Sequence, residues 1–130
     1  MMDHAEIRAL IEQWALAVQA CDLDAVLRNH GEDIVMFDVP PPERGVRGLD
    51  AYRGTWPPFF EWLQQGGMFE IDALEVTSGV DVGFAHVLLR CSTPEVLSAN
   101  PDKRLRLTIG LCKRDGCWIV THEHHSFTQQ

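Results

Sequence analysis

The sequence predicts an α+β protein in which about three helices pack on the concave face of a curved, mostly antiparallel sheet. In the first half, apolar residues recur at intervals of three and four, which is typical of amphipathic helices. The second half consists of β-like runs separated by turn signals. Helices that precede an antiparallel meander cover one of its faces. The length of 130 residues predicts a single domain over residues 1–130, with room for one pocket.

Two helices are predicted at the start of the chain. The first covers residues 3–20, where the apolar spacing is helical, and Asp3 is its expected N-cap. Asp22 is expected to cap a second, shorter helix that runs to about Asn29. Gly31 is its expected end, because glycine is favoured just after a helix.

A strand and a third helix follow. The strand is predicted over residues 34–39 and ends at the prolines 40–42, because proline cannot donate to a β-ladder. The helix is predicted to begin near Leu49–Ala51 and to end at Gly66-Gly67. The pair Pro57-Pro58 should kink this helix or break it into two pieces.

Four strands are predicted in the remainder of the chain. The strongest turn signal between them is Asp115-Gly116, a two-residue hairpin sequence. A long loop with two prolines is predicted over residues 93–102. The predicted strands cover residues 69–77, 82–91, 103–114 and 117–127.

Composition and charge exclude several classes of protein. A formal charge of −8 and the lack of a dense basic patch argue against nucleic-acid binding. No apolar stretch is long enough for a membrane helix, and the first residues lack the features of a signal peptide, so a cytoplasmic protein is expected. Four cysteines without a C-x-x-C pair argue for free thiols and against a redox or zinc motif. No cofactor is expected.

Three of the six histidines lie close together near the C-terminus. In a regular strand side chains alternate faces, so His122 and His124 are expected on the face of Trp118, with Glu123 and His125 on the other. Histidine is the side chain that most readily changes charge near neutral pH. The pair is therefore an acid–base candidate if its face is concave. Otherwise these are structural histidines near a sheet edge or a dimer interface.

A metal site is the less favoured interpretation of the same residues. His-x-His on a strand can supply two ligands. Glu123, however, is expected on the opposite face, and a third ligand would have to come from elsewhere, for example from His86. We therefore expect no metal.

Four segments occur in an order and spacing that point to a known family. They are Cys21-Asp22-Leu23-Asp24, Val35-Met36-Phe37-Asp38 before the prolines, Gly48-Leu49-Asp50-Ala51-Tyr52, and Asp115-Gly116-Cys117-Trp118-Ile119-Val120-Thr121-His122-Glu123-His124. In them the chain resembles the SnoaL-like, ketosteroid-isomerase-like branch of the nuclear-transport-factor-2-like superfamily. The resemblance implies a cone-shaped barrel, an internal apolar pocket, and a homodimer formed through the outer sheet face. The scaffold hosts isomerases, polyketide cyclases, dehydratases and binding modules, so it does not settle the activity.

The resemblance transfers catalytic roles only in part. The general base of ketosteroid isomerases is an Asp at the end of the first strand, before a Pro-containing loop, and Asp38 holds the matching place. The Tyr and the late-strand Asp that hydrogen-bond the developing enolate are replaced here by Trp14 and Thr108. Classical ketosteroid isomerase activity is therefore not expected.

A candidate site follows from these assignments. Asp38 lies among apolar neighbours that suit proton transfer next to a carbonyl, or else it caps the following loop. His86 and Arg106 would form a cationic spot inside the pocket, or alternatively salt bridges or part of the dimer face. The expected catalytic residues are Asp38, His122 and His124, and the expected substrate-binding residues are Trp14, Trp56, Phe60, His86, Arg106 and Trp118.

Two functions remain open at this point. In the first, the pocket binds a small apolar, carbonyl-containing molecule, and Asp38 and His122 catalyse an acid–base isomerisation, cyclisation or dehydration. In the second, the domain is a non-catalytic module that binds a ligand or a partner. The substitutions Asp38→Asn and His122→Ala would then leave ligand affinity nearly intact.

Overall fold

The structure is a computed structural model that describes residues 3–129. These residues form helices and strands in the order that the sequence predicts, with one additional helix. The helices are α1 (Asp3–Gln19), α2 (Leu23–Leu27), α3 (Leu49–Gly54), α4 (Trp56–Gln64) and α5 (Pro94–Ala99). The strands are β1 (His30–Phe37), β2 (Val46–Arg47), β3 (Glu70–Ser78), β4 (Val82–Arg90), β5 (Leu105–Arg114) and β6 (Cys117–Ser126).

The strands form one curved, six-stranded sheet in the order β2-β1-β6-β5-β4-β3. Strands β3 to β6 make an antiparallel meander, whereas β1 pairs with β6 in parallel. The α+β prediction is confirmed, and the sheet is open rather than closed into a barrel. No helix in the described part of the chain is long and apolar enough to cross a membrane.

Helix α1 covers one face of the sheet, and two of its side chains hydrogen-bond to the backbone in or next to the edge strand β3. The guanidinium of Arg8 donates to the carbonyl oxygen of Leu74 at 2.7 Å, and the Gln19 amide donates to that of Phe69, also at 2.7 Å. These bonds occupy backbone acceptors that a free edge strand would present to other chains.

The predicted capping role of Asp3 is wrong. Asp3 is itself the first residue of α1, and its Oδ1 accepts hydrogen bonds from Lys113 Nζ at 2.9 Å and from Trp118 Nε1 at 3.1 Å. The Lys113 and Trp118 hydrogen bonds lower the pKa of the Asp3 carboxyl. This side chain therefore joins α1 to the β5–β6 hairpin.

Helix α2 begins as predicted and ends earlier. Asp22 caps it by accepting a hydrogen bond from the Ala25 amide at 3.2 Å. Arg28 has an extended backbone and Asn29 a left-handed one with φ of 59°, so the helix stops at Leu27 and Gly31 already belongs to β1.

The third predicted helix is broken, although not by the prolines themselves. The break lies at Thr55, and Pro57-Pro58 occupy the first turn of α4. Proline is tolerated there because the first amides of a helix have no intrahelical acceptor.

Helix α5 was expected to be a loop, and that prediction is wrong. Thr93 caps it by accepting a hydrogen bond from the Val96 amide at 3.3 Å, and Pro94 occupies its first turn. The sequence Thr-Pro-Glu is a helix-start signal, which the two prolines of the segment obscured.

Candidate active site

A β-bulge in β6 decides which side chains face the concave side of the sheet. Residues 110–111 of β5 are consecutive, yet they pair with His122 and Val120 respectively. Thr121 is therefore an extra residue without a partner on β5. A bulge of this kind shifts the alternation of faces by one position.

The predicted orientation of the β6 histidines is wrong for this reason. Glu123 and His125 are buried, whereas His124 is exposed and His122 is half-buried on the outer face. His122 Nδ1 lies 2.7 Å from the carbonyl oxygen of Val35, and its ring contacts Phe37 edge-on. The alternation rule assumes an uninterrupted ladder, and here the ladder is interrupted just before the histidines.

A cavity of about 330 Å³ lies between the concave face of the sheet, α4 and the loop after β1. Asp38 and Trp56, both predicted from the sequence as site residues, line it, and so does His125. Its walls are largely apolar, and much of their area is aromatic. The lining residues are Met36, Asp38, Val39, Pro40, Thr55, Trp56, Pro58, Phe59, Trp62, Phe69, Cys91, Leu105, His125 and Phe127.

A buried carboxylate stands behind His125. Glu123 Oε1 lies 2.9 Å from His125 Nε2, and its Oε2 accepts a hydrogen bond of 2.7 Å from the Tyr52 hydroxyl. His30 Nε2 lies 3.4 Å from the same Oε2 without good hydrogen-bond geometry, so its interaction with the carboxylate is mainly electrostatic. Only 1% of the Glu123 surface is exposed. The carboxylate thus has three polar neighbours and almost no water.

The ionisation states of this cluster follow from its contacts. Burial raises the pKa of the Glu123 carboxyl, but the His125 hydrogen bond and the electrostatic attraction of the His125 and His30 rings outweigh burial and hold this pKa at about 2. Burial and the nearby carboxylate raise the pKa of the Tyr52 hydroxyl well above 10. Glu123 is therefore an ionised acceptor at neutral pH, and Tyr52 remains a donor.

The hydrogen bond to Glu123 fixes the tautomer of His125. An ionised carboxylate only accepts hydrogen bonds, so His125 Nε2 carries the hydrogen. In the neutral ring the lone pair is then on Nδ1. Among the described residues Nδ1 has no hydrogen-bond partner, and it is not one of the polar atoms sealed from solvent. His125 thus lines the cavity with a ring whose Nδ1 makes no hydrogen bond to the described residues.

Tyr52 and His30 hold Glu123 in place from the other side. The two rings stack with centroids 5.2 Å apart and an interplanar angle of 27°. His30 Nδ1 lies 2.9 Å from the carbonyl oxygen of Arg28, an acceptor, so Nδ1 carries a hydrogen. Both rings are anchored at two points, which leaves the Glu123 carboxylate little freedom to move.

Asp38 has one local partner and influences the cavity wall. Its Oδ1 accepts a hydrogen bond of 2.8 Å from the Val39 amide, as an aspartate at a turn often does. Burial first, and then the Asp38 charge, raise the pKa of the Cys91 thiol to about 12. Cys91 is therefore a neutral wall residue, and Asp38 adds a carboxyl group to the cavity lining.

Three of the predicted aromatic binding residues lie outside this cavity. Trp14 and Trp118 line a separate, more open groove of about 650 Å³ between α1, α2 and the β5–β6 turn. Phe60 is buried behind Trp56, with ring centroids 5.8 Å apart. Their expected place in the pocket wall is therefore wrong, although Trp14 meets the lining residues Trp56 and Phe69 edge-on.

The predicted cationic spot also lies elsewhere. His86 and Arg106 are exposed on the outer face of the sheet, where His86 pairs across strands with Thr108. Arg106 donates to Ser126 Oγ at 3.2 Å. Buried positions on β4 and β5 alternate strictly, so these two side chains point away from the cavity. The described residues contain no group of three side chains arranged to hold a metal ion.

Four residues of the site were not predicted from the sequence, namely Glu123, His125, Tyr52 and His30. For Glu123 the sequence carries no signal of burial, because the residue lies in the polar second half of β6, between His122 and His124. For His30 and Tyr52 the sequence carries no such signal. Their roles arise from contacts between residues that are far apart in the chain.

Solved structures with the same fold include three that cover most of this chain. An NTF2-like protein of unknown function from Pseudomonas putida is 31% identical, over 98% of this chain and 87% of that one, with a TM-score of 0.84. An NTF2-like protein with a cystatin-like fold from Novosphingobium aromaticivorans is 17% identical, over 98% and 82%, with a TM-score of 0.76. A candidate ketosteroid isomerase from Shewanella frigidimarina is 18% identical, over 91% and 92%, with a TM-score of 0.73.

The family assignment comes from the sequence as well as from the fold. No curated protein sequence matches the chain. The SnoaL-like domain family, by contrast, matches residues 7–130, which include every strand of the sheet and the whole cavity lining. This confirms the resemblance inferred from the four sequence segments. The chain belongs to the SnoaL-like domain family.

Proposed function

We propose that the cavity binds a small, largely apolar, carbonyl-containing molecule and that His125 and Asp38 catalyse proton transfer on it. The class of reaction is an isomerisation, cyclisation or dehydration. One observation carries the proposal: the imidazole of His125 lines an apolar cavity while a buried carboxylate holds its Nε2, which leaves Nδ1 as an acceptor. An oriented base in a site with little water is what proton abstraction next to a carbonyl requires.

The cavity walls support an apolar, ring-containing ligand. Its volume of about 330 Å³ is at the small end of ordinary ligand pockets. Phe59, Phe69 and Trp56 meet edge-to-face with centroid distances of 5.6 Å, which gives the wall flat and rigid surfaces.

The chemistry follows from the positions of the two acid–base groups. His125 Nδ1 removes a proton from a carbon next to the carbonyl, and the Glu123 carboxylate at Nε2 stabilises the imidazolium that forms. The same ring then returns the proton to another carbon or to a departing hydroxyl group. Asp38 provides a second carboxylate in the cavity that can receive or orient a proton. In this proposal His125, and not His122 or His124, is the acid–base histidine.

A proton-exchange measurement tests this proposal. Fused-ring ketones such as 2-tetralone are incubated with the protein in deuterium oxide, and the loss of the proton signal next to the carbonyl is followed by NMR. We expect faster exchange with the protein than without it, and a slower rate for Asp38→Asn. Binding without faster exchange would favour the non-catalytic module. If no ketone in a panel of such compounds binds to the protein or exchanges faster in its presence, the proposal is wrong.

We also propose that the protein is a homodimer that associates through the outer sheet face. Along β4 this face exposes Val82, Phe84 and Leu88, which are 59%, 42% and 39% exposed. Large apolar side chains that share one exposed sheet face are typical of an interaction surface. The family resemblance points to the same face.

Replacing Phe84 by aspartate is expected to convert the dimer to a monomer. A charge at the centre of an apolar interface costs several kcal/mol, because it loses water without gaining a partner. Sedimentation velocity at micromolar concentration measures the mass. Val80→Asp is the matched control, since Val80 is 89% exposed in the β3–β4 turn and outside the sheet face. A wild-type protein that sediments as a monomer contradicts the proposal.

The four cysteines of the chain are unpaired in the structure. Free thiols persist in reducing compartments. On this ground we propose a cytoplasmic location, which fractionation of the cells that make the protein can test.

A further inference from the structure

A lysine stands beside the cavity wall. Lys103 Nζ lies 4.9 Å from the centroid of the Phe127 ring, and Phe127 is one of the cavity's lining residues. An ammonium group over an aromatic face is attracted by the negative charge density of the ring. The contact therefore holds a positive charge next to an otherwise apolar wall.

The charge of Lys103 acts on one residue that lines the cavity. The pKa of the Cys91 thiol is raised by burial and by Asp38, and Lys103 acts on it in the opposite direction. Cys91 lines the cavity, so a positive and a negative charge both act on the same part of the wall. Lys103 and Asp38 form no salt bridge with each other.

The backbone around Lys103 is fixed. Its amide donates to the Asn100 carbonyl oxygen at 3.1 Å, and Arg104 Nη1 donates to the carbonyl oxygens of Pro101 and Lys103 at 2.8 and 2.9 Å. Arg104 itself pairs with Asp72 at 3.0 Å, so its charge is neutralised. In the part of the chain that the structure describes, Lys103 has no such carboxylate partner.

We propose that the molecule bound in the cavity is an aromatic or polycyclic compound with one carboxylate, and that Lys103 binds this carboxylate at the rim. The inference rests on the proposed function and names its substrate class. With its acid group at Lys103, the ring system lies against Phe127, which lines the cavity. A single lysine suits a monoanion, whereas a phosphate would call for several donors.

The net negative charge of the protein disfavours anionic ligands, so a positive group near the cavity matters for their binding. The formal charge is −8, so the long-range field repels anions. A preference for an acid over a neutral molecule of the same shape must then come from a specific positive group near the site. Lys103 is the group that the geometry offers.

Two matched compounds test this inference. Isothermal titration calorimetry compares 2-naphthoic acid with 2-naphthamide, which has the same shape and no charge. We expect wild type to bind the acid roughly tenfold more tightly, as one charge-assisted contact provides. Lys103→Gln should abolish the preference, and Lys103→Arg should keep it. Arg114→Gln is the control, because it removes one positive charge at the opposite end of β5.

The outcomes separate this inference from the proposed function. Equal affinities of the acid and the amide in wild type, or a preference that survives in Lys103→Gln, would overturn the inference and leave an apolar pocket standing. A wild-type protein that binds neutral ketones but neither naphthalene compound overturns it as well. If none of these molecules binds, the proposed function fails and the inference fails with it.

Discussion

Replacing Glu123 by alanine is expected to lower the free energy of unfolding by about 3–5 kcal/mol, because it removes one partner of a buried ionic cluster. The substitution leaves the Tyr52 hydroxyl and the His125 ring without their acceptor, and it removes the carboxylate beside His30. Urea denaturation followed by tryptophan fluorescence measures the loss. The control is Glu32→Gln, an exposed carboxylate on β1, whose effect should stay within about 0.5 kcal/mol.

The same carboxylate makes the stability depend on pH. Its pKa is held at about 2 in the folded protein, below the ordinary value of 4.5. Since the folded-state pKa is the lower one, the stabilisation is fully present above pH 4.5 and is lost as the pH falls through about 2. The loss is on the order of 3 kcal/mol. The side chain of Glu123→Gln cannot titrate. The difference in the free energy of unfolding between wild type and this variant should therefore become smaller as the pH falls from 4.5 to about 2. A constant gap would mean that Glu123 is not ionised when folded.

Replacing His125 by glutamine is expected to slow catalysed proton exchange by roughly 10²–10⁴-fold, the usual contribution of a general base. Glutamine is close in size and can still hydrogen-bond to Glu123, but it does not take up a proton at neutral pH. Ligand affinity, measured separately by calorimetry, should change much less. The expected result is a loss of rate at nearly constant binding.

The matched control is His124→Gln, which changes the adjacent residue of the same strand. His124 is exposed on the outer face, next to Phe37, so its replacement should leave the exchange rate within about twofold of wild type. If His124→Gln or His122→Gln reduced the rate as strongly as His125→Gln, the base would be on the other face. The assignment to His125 would then be wrong.

Much of the fold was predictable because local signals specify it. The helical spacing of α1, the Asp22 cap and the Asp115-Gly116 hairpin each act through neighbours in the sequence. The prolines at 57 and 58 predicted a broken helix for a local reason as well, since proline removes an amide donor.

The candidate site was predictable only in part. Asp38 was found because it holds the position that the family resemblance gives to the general base, and Trp56 because it belongs to the aromatic group beside the predicted break at Pro57-Pro58. The four residues of the buried cluster were not found. His30, Tyr52 and Glu123 lie on β1, α3 and β6, and nothing in their local sequences indicates that they meet.

The sequence by itself determined an α+β fold, the order of its elements and the richness of its last strand in histidine. The tertiary structure alone decided which of these histidines faces the cavity. The face of the sheet on which a side chain lies depends on how its strand pairs with the neighbouring strand. The extra residue Thr121 shifts that pairing just before His122. A bulge is stable when the two strands and the core behind them fit around it. For that reason the inward-facing residues became Glu123 and His125.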